Sequence, residues 1–534
     1  MTTPPPGATP ASSSPRSILL ISVLLAAGWF ALTRDVGLNL ADEGYLWHDI
    51  QQTFEGGVPI RDFRAYDPGR YYMGALWFSL AGPGIMSLRG YLAAIQAVGL
   101  AFGLLALKRV IRGPLHLAAV GFLCLLWTVP LEKRFDHSLI MMGVFGVVWL
   151  IEAPTTARHF AIGLMVGVSG VIGRNYGVYM AIGFGSLIAF RAFAEAPRSA
   201  GKAGLAWAAG IVSGYLPVIL MLLYVTGFRT SFVDSISRLA GPYSPVKSLP
   251  VPWPWSRPLP WWHGVSASAW LLGWMFLLLV ILHVANTYYV LRSGTGGLRN
   301  RPLCAAACFI GVPTLYQLFS RADFAHLTQG FFPALVCLVE ILAHSRNLRA
   351  GMARSALLVT AVPSLALLTL TPLLNSTDLS LAIKKVGTAL GLQVKISSCQ
   401  IDGHKLWLRR SQAAYIEAVR RFCEQNIAEG EGVLIAPYQP GLYQILGRAS
   451  PIWDPYPIHL ASEQEQKEII RALADKSINW ALIDDSPMDS LDERRFSRTH
   501  ALVYEYLVSE FEEVPSDIPG PPKVFHRRRD RNAS

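Results

Sequence analysis

Apolar runs of membrane-spanning length recur along the first 374 residues of the chain. A helix needs about 20 apolar residues to cross the ~30 Å hydrocarbon core of a bilayer. Eleven runs meet or approach this length: 17–33, 90–107, 115–130, 138–152, 159–173, 176–192, 204–226, 266–291, 302–319, 327–344 and 353–374. The sequence therefore predicts a polytopic α-helical membrane protein with about 11 transmembrane helices.

The density of charged residues changes after Leu374. Residues 1–374 contain 27 Lys+Arg and 14 Asp+Glu, so about 11% of them are charged, whereas residues 375–534 contain 20 and 22, or about 26%. The chain is thus predicted to divide into a transmembrane domain, 17–374, and a small α/β domain, 375–534. The Pro/Ser/Thr-rich segment 1–16 is expected to be a disordered cytosolic leader.

The basic residues predict the orientation of the chain in the membrane. If the ambiguous run 71–88 does not span, one side of the membrane carries 14 basic and three acidic residues, and the other carries 13 and 11. The positive-inside rule then places the N-terminus in the cytosol and the C-terminal domain outside, in a multi-pass protein of the plasma (inner) membrane. Residues 71–88 would form a helix along the outer interface.

The excess positive charge lies in the membrane part (27 − 14 = +13) and not in the tail (20 − 22 = −2). This distribution argues against binding to nucleic acid. Two long outer loops are predicted, 35–89 and the Trp/Pro-rich loop 228–265, and the latter could be a lid or an anchor.

The tail shows the periodicities of a soluble domain. Residues 412–425 and 462–474 have helical spacing, and residues 432–436 and 480–483 resemble buried strands. Cys399 and Cys423 in this tail could pair if the domain faces an oxidising compartment, or both could be free.

Polar residues collect at the predicted outer ends of the spans. Ionisable groups near bilayer depth usually have partners or a function, so a shared cavity is expected here. The alternative is that single acids such as Asp42 cap helices, and that His326 does the same. The candidates are Asp42, Glu43, Asp136, Arg174, Arg321, Asp323 and His326.

Three segments of the first loop resemble the first outer loop of GT-C membrane glycosyltransferases. They are Ala41–Tyr45 (ADEGY), Gly56–Phe63 (GGVPIRDF) and Tyr66–Tyr72 (YDPGRYY). The similarity is to the bacterial branch related to protein O-mannosyltransferases and aminoarabinose transferases. The resemblance implies a GT-C-like fold and an inverting transfer of a sugar from a polyprenyl-phosphate carrier to a lipid, glycan or protein acceptor.

The resemblance also implies roles for individual residues. Asp42 would be the base that deprotonates the acceptor, with Glu43 orienting it or the acceptor. Arg70, Arg174 and Arg321 would bind the donor phosphate, because a guanidinium binds phosphate oxygens bidentately. Arg70 stands in Asp67-Pro68-Gly69-Arg70, where many relatives have Lys-Pro-Pro.

Two questions stay open on the sequence. Asp136, Asp323 and His326 could hold a divalent metal ion, although their spacing gives no metal signature. A polytopic transporter or lipid flippase is the alternative function, but such proteins tend to show repeats and mid-span charges, which this sequence does not.

Overall fold

The computed structural model describes residues 14–128, 130–195, 200–240, 249–256, 267–345, 364, 366–392 and 395–528. Most of the predicted leader, residues 1–13, and the parts 241–248 and 257–266 of the Trp/Pro-rich loop lie outside this range. Residues 346–363, which include much of the predicted eleventh span, lie outside it too.

The first part of the chain forms helices. They are α1 (Pro15–Thr33), α2 (Asp42–Phe54), α3 (Pro68–Ala81), α4 (Ile85–Leu107), α5 (Pro114–Trp127), α6 (Arg134–Glu152), α7 (Thr156–Ile172), α8 (Arg174–Glu195), α9 (Ala200–Tyr224), α10 (Phe228–Ala240), α11 (Ala267–Asn300), α12 (Pro302–Ala306), α13 (Val312–Ser320), α14 (Phe324–Ser345), α15 (Ala366–Asn375) and α16 (Thr377–Ala389). A π-helical turn joins α12 to α13 into one continuous rod.

Eight of the described helices are long and apolar enough to cross a membrane, counting α12–α13 as one. Helices α5 and α7, at the third and fifth predicted spans, are apolar but shorter than 18 residues. Helices α15 and α16 meet at a 77° bend and would make a ninth span if they count as one. The polytopic helical membrane fold is confirmed, with eight to nine helices meeting the length criterion where eleven were predicted.

The predicted interfacial helix over 71–88 is wrong in its extent. Helix α3 ends at Ala81, and Ile85 already begins the long apolar helix α4. Gly82 and Gly84 separate the two at φ values of 82° and 130°, which favour glycine because it has no side chain to clash.

The chain forms two compact units. The first contains residues 1–32, 92–217 and 248–379, and the second contains residues 33–91, 218–247 and 380–534. The C-terminal region thus shares its unit with the first loop and with α10.

Helices of the first unit pack closely through small residues. A methyl group built on Gly163 of α7 would lie 2.1 Å from the Trp207 carbonyl oxygen of α9. One turn later, the same position on Gly167 would lie 2.3 Å from the Ile211 carbonyl oxygen. Only glycine permits this backbone approach, which is how helices associate where no hydrophobic effect drives them together.

The second unit contains the small α/β region. It comprises β1 (Ile396–Ile401), β2 (His404–Arg409), α17 (Arg410–Asn426), β3 (Val433–Ala436), α18 (Gly441–Ile445), α19 (Glu463–Asp475), β4 (Trp480–Asp484), α20 (Phe496–Thr499), α21 (Ala501–Glu510), β5 (Phe511–Val514) and β6 (Pro522–Arg527). Strands β1 and β2 form a hairpin, and the others form a sheet in the order β3-β4-β6-β5. Only β3 and β4 run parallel. The predicted helices and strands of the tail are confirmed.

Backbone hydrogen bonds join the first loop to the tail within this unit. Trp407 N–H donates to the Asp35 carbonyl at 2.8 Å, Gly441 N–H to Leu40 at 2.9 Å, and Arg64 N–H to Trp453 at 2.8 Å. Because each bond fixes the loop backbone, the tail holds the segment 35–64 in place along its length. Cys399 and Cys423 are both buried and free, so the disulfide alternative is not realised.

Candidate functional site

Asp42 is the first residue of α2, and its helix is capped from the preceding turn. The Asn39 side-chain oxygen accepts hydrogen bonds from the backbone N–H groups of Ala41 at 3.0 Å and Asp42 at 3.2 Å. The carboxylate of Asp42 is half-buried and has no hydrogen bond or ion pair among the described residues. It therefore lies at a helix N-terminus, where the backbone dipole favours a negative charge, and does not itself cap the helix.

Glu43 forms a buried ion pair with Arg89. The Arg89 Nε donates to one Glu43 carboxylate oxygen at 2.7 Å and Nη2 to the other at 3.0 Å. Arg89 also donates to the carbonyls of Arg34 and Gly37, and Glu43 accepts the Asn39 N–H at 3.1 Å. Both side chains are 1% exposed, so Glu43 positions the turn that leads into Asp42.

Two contacts of the Tyr66 ring connect α2 to Arg70. The Tyr45 ring, one turn after Asp42, packs edge-on against Tyr66 at 5.7 Å between centroids. The Arg70 guanidinium lies over the Tyr66 ring at 5.9 Å. Helix α3, which carries Arg70, packs on α2 where Gly74 meets Ile50. The structure thus brings the first-loop acid and the first-loop cation onto two packed helices.

A buried cluster lies further along α2. His48 Nδ1 and Asp49 Oδ1 are 3.1 Å apart and both residues are almost fully buried. Burial raises the pKa of the Asp49 carboxyl well above its ordinary value, and the nearby Asp454 charge adds to this effect. Burial also lowers the pKa of His48 to about 4. The cluster favours uncharged forms of both side chains.

The first unit holds the remaining predicted residues. Asp323 accepts a hydrogen bond from the Arg321 Nε at 2.7 Å, and its other oxygen lies 2.8 Å from the His326 Nδ1. Burial alone would raise the pKa of Asp323. The hydrogen bonds and charge of His326, together with Arg321, outweigh that effect and lower the pKa to about 2. Asp323 is therefore an ionised anchor for both neighbours.

Hydrogen bonds join the helices that carry Asp136, Arg174 and His326. His137 Nε2 lies 2.9 Å from the Thr328 hydroxyl, which connects α6 to α14. The Tyr176 hydroxyl donates to the side-chain oxygen of Gln329, which connects α8 to α14. The helices that follow two of the predicted polar loops, α6 and α8, are therefore each joined to α14 by a side-chain hydrogen bond.

The Gln329 side chain carries a buried hydrogen-bond donor that has no partner among the described residues. Gln329 is 1% exposed, and its Nε2 has no hydrogen-bond acceptor among the described residues. Leaving a buried amide N–H unsatisfied costs about 1–3 kcal/mol, so this group is suited to donate to a ligand oxygen.

The predicted metal ligands do not come together. No group of three His, Cys, Asp or Glu side chains in the part of the chain that the structure describes is placed to hold a metal ion. Asp323 and His326 contact each other, but Asp136 does not join them. Divalent cations bound by oxygen ligands need several carboxylates around one point, so this geometry does not favour the metal site, which stays a prediction.

Three residues of these sites, Arg89, Thr328 and Gln329, were not predicted from the sequence. Arg89 is the last residue of the predicted outer loop 35–89, and its partner Glu43 is distant in sequence, so no spacing signalled the pair. Gln329 and Thr328 lie in an apolar run, where an isolated polar residue was an available but weak signal.

Two solved structures of ArnT from Cupriavidus metallidurans are similar to this chain over nearly its whole length. ArnT bound to undecaprenyl phosphate matches with a TM-score of 0.54 and 14% sequence identity, over 97% of this chain and 99% of that chain. The apo state matches with a TM-score of 0.52 and 14% identity, over 95% and 97%. No family model matches the chain, and no curated protein does.

The similarity confirms the fold that the first-loop motifs implied. The chain has an ArnT-like fold over nearly its whole length. At 14% identity the likeness extends to the fold alone.

Proposed function

We propose that this protein is an inverting glycosyltransferase that moves a sugar from a polyprenyl-phosphate carrier to an acceptor on the outer face of the inner membrane. The observation that supports this most is the half-buried carboxylate of Asp42 at the start of α2, which pairs with no described residue, in a chain with the fold of ArnT. ArnT was solved with undecaprenyl phosphate bound, which makes a carrier of that class the natural donor.

Asp42 is the proposed base. A glycosyl phosphate already has a good leaving group, so attack needs mainly a carboxylate to take the proton of the acceptor hydroxyl. Asp42 has a carboxylate that no described residue neutralises, whereas the Glu43 carboxylate is occupied by Arg89. Glu43 therefore acts in this proposal as a positioning residue for the turn before Asp42.

Arginines are the proposed ligands of the departing phosphate. Arg70 lies on α3, which packs against the helix that begins with Asp42. Arg174 and Arg321 begin or precede helices of the first unit and are proposed for the same task. A guanidinium keeps its charge near lipid and presents parallel N–H donors to phosphate oxygens. Developing charge on the leaving group is thereby stabilised.

The test is a comparison of a deletion strain with its parent. If the protein is a transferase, the strain accumulates a polyprenyl-phosphate sugar and lacks the glycan that carries it. Purified protein should then complete the transfer from the accumulated lipid to envelope extract of the deletion strain. An unchanged lipid and glycan profile with altered uptake or flipping would establish the transporter alternative.

A further inference from the structure

A cavity of about 370 Å³ lies in the second unit, away from the residues given a role above. Its walls come from α10, from α19 and from the segments 452–454 and 459–461, and Arg64 closes one side. This volume falls within the ~300–1,000 Å³ typical of sites for small molecules.

Helix α10 presents a polar stripe to this cavity. Ser231, Asp234, Ser235 and Arg238 line it, at positions i, i+3, i+4 and i+7 of one helix face. The neighbouring apolar residues Val233 and Ile236 are exposed and do not line the cavity. Helix α10 thus turns a face of hydroxyl and charged side chains towards the cavity.

Helix α19 contributes the opposite wall in the same manner. Glu465, Glu468, Ile469 and Ala472 line the cavity, again at positions i, i+3, i+4 and i+7. Glu465 is held rigidly, because one oxygen closes the capping box with Ser462 and the other accepts from Arg238 at 2.6 Å. The Glu465 carboxylate is therefore fixed in position before any ligand binds.

The arginines of the cavity are already neutralised. Arg64 pairs with Asp454, and Arg238 pairs with Glu465 while its guanidinium lies 4.9 Å from the centre of the Trp453 ring. Four carboxylates and two arginines give a formal charge of −2 with neutral histidines. Asp234 and Glu468 form no ion pair within the described ranges. A cavity of this sign disfavours phosphate and carboxylate ligands.

The chemistry of the walls fits sugar hydroxyls. Carboxylates accept two or more hydrogen bonds each, and serine hydroxyls both donate and accept. The Trp453 indole, anchored by its N–H donating to the Arg61 carbonyl at 3.2 Å, adds an amphipathic ring to the wall. A polyhydroxylated ligand that lacks anionic groups satisfies these partners, and an amine on it would meet the carboxylates of Asp234 and Glu468, which form no ion pair within the described ranges.

The cavity is connected to the helix that carries the proposed base. Arg64, in its wall, accepts a hydrogen bond on its carbonyl from the Tyr45 hydroxyl at 2.7 Å. Tyr45 follows Asp42 by three residues, or about 4.5 Å along the axis of α2. The wall of the cavity is therefore joined by a hydrogen bond to the helix that begins with Asp42.

We propose that the cavity binds sugar residues of the acceptor, which is a glycan without negative charge, either neutral or amine-bearing. This inference rests on the proposed transferase function. The second unit would thereby recognise the acceptor through its sugar residues.

Direct binding tests the cavity without any turnover. Full-length protein in detergent is titrated with three trisaccharides: triglucosamine, tri-N-acetylglucosamine and trigalacturonic acid. The first two should bind saturably and the anionic trimer should not. Asp234→Asn combined with Glu468→Gln should weaken triglucosamine binding about 10-fold or more. The matched control is Glu463→Gln, an exposed acid of α19 that does not line the cavity, and it should bind like the wild type.

Absence of saturable binding by both uncharged and cationic trimers, preference for the anionic trimer, or an unchanged affinity in the double variant would overturn the proposal. A transfer assay separates this failure from that of the proposed function. In a working transferase, the double variant should raise the KM for the envelope acceptor and leave the donor KM unchanged. A double variant with a wild-type acceptor KM overturns the cavity proposal alone, whereas sugar binding without any transfer overturns the transferase function and with it the acceptor role.

Discussion

Gly44 of the first loop and Gly441 of the tail lie in backbone contact. A methyl group on Gly44 would lie 2.5 Å from the Gly441 nitrogen, and the Gly441 N–H donates to the Leu40 carbonyl at 2.9 Å. Helix α18 thereby rests directly on α2, two residues from Asp42. The position of the proposed base depends on a docking contact with the other end of the chain.

Replacing Gly441 by alanine should loosen this contact. The added methyl group would meet Gly44 Cα at 3.0 Å and the Leu40 backbone at 3.1 Å, and such overpacking typically costs about 1–3 kcal/mol. Thermal unfolding of detergent-purified protein should show a lower midpoint, with transfer activity reduced at temperatures where the variant stays folded.

The control for this variant is Gly201→Ala. Gly201 lies near the start of α9, and a methyl group there would touch nothing within 4 Å. Alanine in a helix is favoured over glycine by roughly 0.5–1 kcal/mol, so this variant should be as stable as the wild type or more so. Equal stability of both alanine variants would show that the Gly44–Gly441 approach is not tight.

Glu43→Gln should destabilise the fold more than any substitution of Asp42. The variant leaves the Arg89 guanidinium buried with a neutral partner, and breaking a buried pair typically costs about 3–5 kcal/mol. Extracted yield and thermal midpoint should both fall. The double variant Glu43→Leu with Arg89→Met, which removes both charges, should recover much of the loss. A stable but inactive Glu43→Gln protein would instead assign Glu43 to the chemistry.

The membrane helices could be predicted because the hydrocarbon core of a bilayer requires a long apolar segment from any helix that crosses it. Any segment that crosses must supply a long apolar run, and this requirement is visible without knowledge of its neighbours. The strands and helices of the tail were visible for a similar reason, since β3 is a short apolar run and α17 and α19 have helical periodicity.

Helix α2 could not be predicted in this way. Its sequence is nearly balanced between polar and apolar residues, yet it is largely buried, because the tail packs on it through Gly441 and Tyr443. The ion pair of Glu43 with Arg89 and the pairing of Arg64 with Asp454 join residues that are distant in sequence. Asp42 was identified from its place after the first span and from the motif, neither of which depends on such contacts.

Stability should fall between pH 6.5 and 4 through His48. Burial lowers its pKa in the folded protein to about 4, below the ordinary 6.5. Above pH 6.5 the imidazole is neutral in both states. Between 6.5 and 4 the unfolded chain binds a proton that the folded chain does not, so stability decreases by at most roughly 3 kcal/mol.

The measurement is the difference in thermal midpoint between the wild type and His48→Gln from pH 7.5 to 4. This difference cancels the effects of groups distant from His48, and it reduces the opposite effect of Asp49, whose raised pKa favours the folded state as the pH falls. Relative to the variant, the wild type should lose stability across the window. Parallel curves would show that His48 titrates at its ordinary pKa.

Arg70→Lys and Arg174→Lys should impair the reaction although they keep the charge. Lysine presents a point charge and lacks the fork that binds two phosphate oxygens, so kcat/KM for the polyprenyl-phosphate donor should fall about 10-fold or more. Arg61→Lys is the matched control, because Arg61 is a half-exposed arginine of the same loop that pairs with Asp62. Wild-type kinetics in both test variants would reduce these arginines to structural cations.

Asp42→Asn should separate chemistry from folding. Asparagine keeps the size of the side chain but cannot take up a proton, so transfer should fall by about 10²–10⁴-fold, the usual cost of losing a general base. Folding should survive, because the Asp42 carboxylate has no partner among the described residues and the Asn39 cap contacts its backbone only.

Glu55→Gln, an exposed acid at the far end of α2, provides the control for an acid-to-amide change on this helix. Initial rates of sugar transfer, with extracted yield and thermal midpoint matched to wild type, decide the outcome. If folded Asp42→Asn enzyme transferred sugar as fast as the Glu55→Gln control, Asp42 would not be the base. Its carboxylate would then only stabilise the N-terminus of α2.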